Sequence, residues 1–192
     1  MNKNIIKTAI KTLVVLLVIT GIIYGGFALF APQKLVSFYK DIGENETALK
    51  FQERVYQKEK SLESLLGVIN LAIADEDEDK IIYYADKLIT NYEVEKDLEE
   101  NYCDFVIFNY CVALYDEERM DDAIDIAAHY SVAYQTTDPI RRLAAYSVDE
   151  NDRTFAYKVR LAITQIDTSA LSSESQALLQ NDIIHLNEFL GL

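Results

Sequence analysis

The stretch "IADEDEDKIIYYADKLI", residues 73–89, joins five consecutive acidic residues to a run of paired apolar residues. Ile81-Ile82 and Leu88-Ile89, with Ala85 between them, recur at the spacing of an α-helix. Carboxylates at the start of a helix interact favourably with the positive end of its dipole and cap free N–H groups. The stretch therefore predicts a turn followed by an amphipathic helix.

Calcium binding is the alternative interpretation of this acidic run. Asp75, Asp77 and Asp79 match the first three carboxylate positions of an EF-hand loop. The position where the sharp turn requires glycine is Lys80, and the position that needs a bidentate glutamate is the shorter Asp86. The helical apolar spacing also runs through the second half of such a loop. The sequence therefore predicts no metal site here.

The same alternation of acidic turn and amphipathic helix continues along the chain. The other turns are "GENE" from Gly43, "YDEERMDD" from Tyr115 and "VDENDR" from Val148. The chain has only two prolines, and no alternating run of residues indicates a strand. The predicted fold class is all-α. Helices are expected at residues 62–73, 81–89, 98–113, 120–134, 139–148, 153–166 and 173–189.

Aligning the hairpins by their turns places Ala48, Ile81, Ala123 and Ala156 in register, at intervals of 33, 42 and 33 residues. The longer interval implies an extended connection around residues 92–100. In this register "GENETALKFQERVY", residues 43–56, resembles the second half of a tetratricopeptide repeat, with glycine opening the turn. The resemblance covers residues 35–166. It implies a short α-solenoid of about four helical hairpins, and another type of helical-hairpin repeat is the alternative.

The resemblance also implies a binding surface, because the first helix of each tetratricopeptide hairpin lines the groove. Carried over by register, the protein-binding face would contain Asn70, Phe108, Tyr115 and Arg141. The chain has 13 tyrosines. Their spacing coincides with the core stripes, so packing is the first interpretation and an aromatic binding face the second.

An apolar segment without charge, residues 12–33, precedes the repeats and is long enough to cross a bilayer as a helix. The leader, residues 1–11, holds three lysines and no acid, which predicts a cytoplasmic N-terminus and an extracytoplasmic domain. A cleaved signal peptide is the alternative, but the apolar stretch exceeds the usual core of about 7–15 residues. Gly21 and Gly25 have the spacing of a transmembrane helix contact and predict self-association.

The remaining chain divides into a repeat domain, residues 34–168, and a C-terminal capping helix, residues 169–192. After residue 33, 15 basic residues stand against all 32 acidic ones, a formal charge of −17. Nucleic acid would be repelled, and a basic partner would be favoured. Cys103 and Cys111 lie about 12 Å apart along one predicted helix, too far for a disulfide.

No residue pattern indicates catalysis. His129 and His185 lie far apart, and the chain has no glycine-rich phosphate loop. We therefore expect neither enzymatic activity nor a cofactor. The predicted function is that of a membrane-anchored scaffold or accessory subunit that binds a protein or peptide. A self-assembling structural component of the cell envelope, or an accessory protein of a secretion or envelope enzyme complex, is the alternative.

Overall fold

The computed structural model describes residues 3–134 and 137–192. Regular structure within these ranges is helical and includes no strand, which confirms the all-α class. The helices, in chain order, are α1 (Lys3–Phe30), α2 (Pro32–Asp41), α3 (Asn45–Glu59), α4 (Leu62–Ala74), α5 (Glu78–Asn91), α6 (Val94–Asp97), α7 (Glu100–Asp116), α8 (Met120–Tyr134), α9 (Asp138–Asp149), α10 (Arg153–Gln165) and α11 (Ser173–Leu190). A short 3₁₀ turn, Thr168–Ala170, precedes α11.

Helix α1 contains a segment, Ile10–Phe30, that is long and apolar enough to cross a membrane. It has 21 residues with a mean hydropathy of 2.5, and none of its most apolar window is buried against the protein. The helix ends at Phe30, three residues before the end of the predicted membrane segment 12–33. Pro32 is the reason: it starts α2, and the residue before a proline, Ala31, leaves the helical conformation with φ −142°.

The chain forms two compact units, which meet at Leu71/Ala72 inside α4. The predicted repeat domain, residues 34–168, includes residues of both units, and its assignment as one domain stays a prediction. In the first unit α2 packs against α3 through a core of apolar side chains. Gln52 of α3 donates a hydrogen bond to the Ser64 carbonyl at 3.0 Å, which connects α3 to α4. Buried residues of this unit include Leu35, Ala48, Leu49, Phe51, Val55, Leu65, Val68 and Ile69.

Helix α7 is the centre of the second unit. It packs against α5, α8 and α9. Helix α9 also packs against α8 and α10, and α11 covers both α9 and α10. Cys103 and Cys111 are both buried inside α7 as thiols. Burial raises the pKa of the Cys111 thiol well above its usual range, so this cysteine is unreactive.

Four turns between helices share one backbone geometry. In each, one residue adopts a left-handed conformation, and the N–H of the next residue bonds to a carbonyl five residues earlier, the Schellman pattern that ends a helix. The left-handed residues are Gly43, Glu76, Glu118 and Asn151, at intervals of 33, 42 and 33 residues. The bonds are Glu44 to Tyr39, Asp77 to Ala72, Arg119 to Leu114 and Asp152 to Ser147, at 2.8–3.0 Å.

The acidic run at residues 75–79 is one of these turns. Helix α5 begins at Glu78, and the Asp77 carboxylate caps it by accepting a hydrogen bond from the Lys80 N–H at 3.1 Å. The interpretation of this run as a helix start is therefore confirmed. In residues 3–134 and 137–192 no group of three or more His, Cys, Asp or Glu side chains is arranged to hold a metal ion.

The extended connection predicted around residues 92–100 contains the one-turn helix α6. Leu98 ends α6 in an extended conformation, so α7 starts at Glu100, two residues later than the apolar pattern indicated. The other helices after residue 60 begin and end within three residues of their predicted bounds.

Candidate protein-binding face

Three aromatic side chains of α7 and α9 form a cluster that we call the aromatic face: Phe108, Tyr115 and Tyr146. The Phe108 and Tyr146 rings meet edge to face with centroids 6.2 Å apart. Tyr115 meets Tyr146 in the same way at 5.5 Å. Each of the three is only partly buried, so the cluster presents ring surface to solvent. Partly exposed tyrosines of this kind are the residues most enriched at the centre of protein interfaces.

Contacts with Phe155 and Asp152 fix the position of Tyr115 in the aromatic face. The Tyr115 ring lies 4.6 Å from the fully buried ring of Phe155 in α10. Its hydroxyl donates a hydrogen bond to Asp152 Oδ2 at 3.1 Å. The other oxygen of Asp152 accepts hydrogen bonds from the N–H groups of Thr154 and Phe155, both at 2.9 Å, and so caps α10. One carboxylate therefore fixes both the start of α10 and the orientation of Tyr115.

An arginine already occupies part of this surface. The Arg142 guanidinium lies 4.0 Å from the centre of the Phe108 ring, in a cation–π contact. Arg142 itself is exposed. The aromatic face therefore accepts a guanidinium group against one of its rings.

Arg141, the arginine that the resemblance implied, has a different role in the structure. Its Nε lies 2.7 Å from Asp182 Oδ2 in α11, and its Nη1 lies 3.6 Å from Asp138 Oδ1. These ion pairs connect α9 to α11. Successive residues of a helix point about 100° apart, so neighbouring arginines reach different surroundings. The structure thus brings Phe108 and Tyr115 together through Tyr146, with Arg142 rather than Arg141 beside them.

Two clefts are lined in part by α7 or by α9, the helices that carry the aromatic face. The first, of about 300 Å³, includes residues of α5 and α7, and three carboxylates lie on it: Glu76, Glu78 and Asp116. Its floor is apolar, formed by Ile73, Ile81, Val112 and Ala113. The second, of about 240 Å³, lies between α9 and α11 and is lined by Ala144, Ala145, Val148, Asp149, Asp182, His185 and Leu186.

The electrostatics of the first cleft are unfavourable in the free protein. Burial and the neighbouring charges of Glu78 and Glu150 raise the pKa of the Asp116 carboxyl. Burial, followed by the charges of Asp116 and Glu150, also raises the pKa of Tyr146 to about 12. The Tyr146 hydroxyl is therefore neutral at physiological pH, and the surrounding carboxylates repel one another. A cationic group placed here would relieve that repulsion.

The remaining predicted site residues lie elsewhere. Asn70 is exposed on α4, in the first unit. Gly21 and Gly25 lie one turn apart on α1, and a Cβ added at either would meet nothing within 4 Å. Their predicted role in helix self-association stays a prediction. Of the tyrosines, Tyr84, Tyr110 and Tyr130 are buried, which confirms packing for those three.

Sequence reasoning missed Tyr146, Arg142 and Asp152. Arg142 and Tyr146 are four residues apart on α9, so a helical drawing of "RRLAAY" places them on one side. Asp152 had a local signal, since an aspartate before a helix is a preferred cap. The contact of Asp152 with Tyr115, 37 residues away, has no such signal in the sequence.

A larger cleft, of about 450 Å³, lies between α8 and α10, and Asp125, His129 and Asp167 stand among its apolar lining. Among the described residues that line this cleft, His129 is the only one with an aromatic ring. Comparisons of the chain with protein-family models, curated proteins and solved structures gave no match. The function is therefore argued from the geometry of the aromatic face and its clefts.

Proposed function

We propose that this protein is a membrane-anchored binding module, in which α1 holds the chain in the bilayer and the aromatic face binds a basic protein or peptide. The observation that carries the proposal is a combination found in the second unit: three partly exposed rings on α7 and α9, and a cleft of α5 and α7 with three carboxylates, one of which, Asp116, contributes to the raised pKa of Tyr146. Rings supply contact area at low entropic cost, and carboxylates select a cationic partner.

The cation–π contact of Arg142 supports the choice of a basic partner. It shows that a guanidinium fits on Phe108 at a centroid distance of 4.0 Å. A lysine or arginine side chain of the partner would extend this arrangement toward Asp116 and Glu78. The charge of the second unit agrees, because residues from Ala72 onward hold 26 acidic and nine basic side chains. Such a field raises the association rate of cationic partners.

The repeated turn geometry supports an α-solenoid of the tetratricopeptide type as the architecture of the proposed module. Turns of one kind at intervals of 33, 42 and 33 residues are what helical hairpins stacked in series would require. In that architecture α7 and α9 are the first helices of two successive hairpins, and their shared surface is the binding groove. The last helix, α11, would then be the cap.

The length of the apolar segment of α1 supports an anchor that is retained rather than cleaved, since its 21 residues exceed the usual signal-peptide core of about 7–15. The helix runs unbroken through Gly26, Phe27 and Ala28, where a signal peptide would be cut. Beyond that point its residues lead directly into α2. The lysine-rich leader places the N-terminus in the cytoplasm in this proposal, and the acidic unit outside it. Protease added to intact cells should digest that unit, whereas protection would reverse the orientation.

Photo-crosslinking in native membranes tests the binding face. A photoreactive phenylalanine analogue replaces Phe108 in one variant and Tyr157 of α10 in a matched control, since Tyr157 is also an exposed ring in the second unit. We expect position 108 to capture a defined partner that position 157 does not capture. Mass spectrometry of the crosslinked product identifies it.

Equal capture from both positions, or capture of bulk membrane proteins alone, would contradict the proposal. Capture of a second copy of this chain from position 108 would instead favour the self-assembling envelope component. Gly21→Leu with Gly25→Leu separates that outcome further, because crosslinked dimers that depend on α1 should then disappear.

A further inference from the structure

Helix α2 runs back along the last turns of α1 instead of leading away from it. The Tyr39 hydroxyl of α2 donates a hydrogen bond to the Tyr24 hydroxyl of α1 at 3.1 Å. The Phe51 ring of α3 stacks on Tyr39 at 5.7 Å and meets Tyr24 edge to face at 6.2 Å. Tyr24 precedes the end of α1 by six residues. This aromatic cluster therefore lies about 9 Å from Phe30 along the helix axis, toward the N-terminus of α1.

This position conflicts with a membrane segment that extends to the end of α1. If every residue from Ile10 to Phe30 lay in hydrocarbon, the Tyr24–Tyr39–Phe51 cluster would lie inside the bilayer. Lys40 and Asp41, at the end of α2, would lie there as well. Charged side chains are costly in hydrocarbon, whereas tyrosine rings concentrate at the membrane–water interface. The cluster therefore marks the interface, and not the bilayer interior.

One side of α2 has apolar side chains that the protein does not cover. Phe38 of α2 and Ile42, which directly follows α2, are each 55% exposed, whereas Leu35, one turn before Phe38, is buried. Lys34, Phe38 and Ile42 follow one another at intervals of four residues, so they share one stripe of the helix. Phe38 and Ile42 are at the end nearest Tyr24, and Lys34 is at the end farther from it.

We propose that the lipid–water boundary on the domain side lies at Tyr24 and Tyr39, and that Phe38 of α2 and Ile42 insert into the lipid at this level. The inference rests on the proposed membrane anchor and adds its depth and a second lipid contact. Lys34 and Lys40 reach the lipid phosphates. On this side of the anchor, residues 34–71 hold six basic and six acidic side chains, so this part of the first unit carries no net charge that would repel lipid headgroups.

The boundary at Tyr24 has a consequence for the other end of the helix. Ile10–Ile23 covers only about 21 Å of a hydrocarbon layer of about 30 Å. Lys11 must therefore extend its ammonium group along the helix to the opposite headgroups, or the bilayer must thin around the anchor.

Cysteine accessibility in native membranes tests the proposal. Single cysteines replace Leu17, Phe30, Phe38, Ile42 and Tyr157 in the full chain, and reaction with N-ethylmaleimide is timed. This reagent crosses the bilayer but needs a hydrated thiolate, so the orientation of the protein does not affect the result. Wild-type protein supplies the background, which should be low because Cys103 and Cys111 are fully buried. Labelling after denaturation in detergent gives the total number of reactive thiols.

The proposal predicts an order of cysteine reaction rates that differs from the order of the positions along the chain. Phe38→Cys and Ile42→Cys should react several-fold more slowly than Tyr157→Cys, and also more slowly than Phe30→Cys, although position 30 is the end of the apolar run. A rate that rises steadily from position 30 to 42 would overturn the proposal, because it indicates that the chain leaves the membrane directly. Equal protection at positions 30, 38 and 42 would overturn it too, since the boundary would then lie beyond Phe30.

Leu17→Cys separates this inference from the proposed anchor. Position 17 should be unreactive if α1 spans the bilayer. Fast reaction at position 17, equal to that of Tyr157→Cys, would contradict the anchor itself and with it the boundary. Protection at position 17 together with fast reaction at 38 and 42 would contradict the boundary alone.

Discussion

The first compact unit, up to Leu71, holds nine basic and six acidic residues and leaves apolar side chains exposed along α1 and α2. The second unit, from Ala72, holds nine basic and 26 acidic residues, and most of its large apolar side chains are buried. The formal charges are +3 and −17. Three of the basic residues of the first unit belong to the leader, residues 1–11, so the part of this unit after the anchor has no net charge. One chain therefore combines a unit whose exposed apolar side chains suit lipid with a unit whose acidic surface suits water and cationic partners.

Both units contain helix starts with and without a side-chain cap, since Ser61 Oγ accepts a hydrogen bond from the Ser64 N–H at the start of α4 in the first unit, and Glu99 makes no side-chain capping bond before α7 in the second. In the first, the residues that precede α2 and α3, Ala31 and Glu44, make no side-chain capping bond. In the second, Asp77 and Asp152 cap α5 and α10. Acidic residues in the second unit thus have two roles, since those at helix starts stabilise the fold and those around Asp116 repel one another.

The largest expected effect separates a buried ring from an exposed one. Phe155→Ala should lower the free energy of unfolding by about 3–5 kcal/mol, because the side chain is fully buried beneath Tyr115. The matched variant Phe38→Ala should change it by less than about 0.5 kcal/mol, because Phe38 contributes little to the protein core. Urea unfolding of the full chain in detergent, followed by circular dichroism, measures both. Similar losses for the two variants would remove the distinction between the units.

Loss of a helix cap should give the second-largest change in the free energy of unfolding. Asp152→Ala should cost about 2–3 kcal/mol, because it removes a cap and the hydrogen bond from Tyr115 together. Glu44→Ala, at the corresponding position before α3, should cost close to nothing. Unfolding midpoints in the same detergent test the pair. A cost for Glu44→Ala as large as that for Asp152→Ala would contradict the assignment of Glu44 as a helix start without a side-chain cap.

The four left-handed turns predict opposite signs in the two units. Gly43→Ala should destabilise by about 1 kcal/mol, since a Cβ at φ +77° is strained even where space is open. Glu118→Gly, at φ +60°, should stabilise by about 0.5–1 kcal/mol, since glycine removes that strain. Thermal unfolding of both variants checks the signs. Destabilisation by Glu118→Gly would mean that the Glu118 side chain stabilises the fold by more than its positive φ costs.

The smallest effect concerns Asp116. Because its pKa is raised in the folded state, the folded chain gains a proton before the unfolded chain as the pH falls. The ionised carboxylate therefore costs stability above that pKa, and the cost disappears on acidification. Asp116→Asn should stabilise the protein at neutral pH by at most about 0.5 kcal/mol, because solvent screens this exposed charge. The variant should also gain less stability than the wild-type protein as the pH falls. Thermal midpoints at several pH values measure this gain. A larger gain in the variant on acidification would contradict the assignment.

The helices and turns were predictable because each depends on neighbours in sequence. Apolar spacing placed α8 at residues 120–134, and the acidic runs placed the turns around Gly43, Glu76, Glu118 and Asn151. Phe108 and Tyr115 were found through register.

The rest depends on contacts between residues far apart along the chain. Arg141 and Arg142 are adjacent, and only the packing of α9 on α11 decides which of them pairs with Asp182. The return of α2 along α1 rests on Tyr24 and Tyr39, and no periodicity in the sequence indicates it.

The most direct test of the proposed function is the yield of photo-crosslinking from position 108 in native membranes, measured before and after Glu78→Gln and Asp116→Asn are introduced together. The account predicts that the yield of the partner falls several-fold in the double variant. The yield from position 157 should stay at its low background in both. An unchanged yield from position 108, or an equal yield from position 157, would contradict the claim that the acidic aromatic face binds a basic partner.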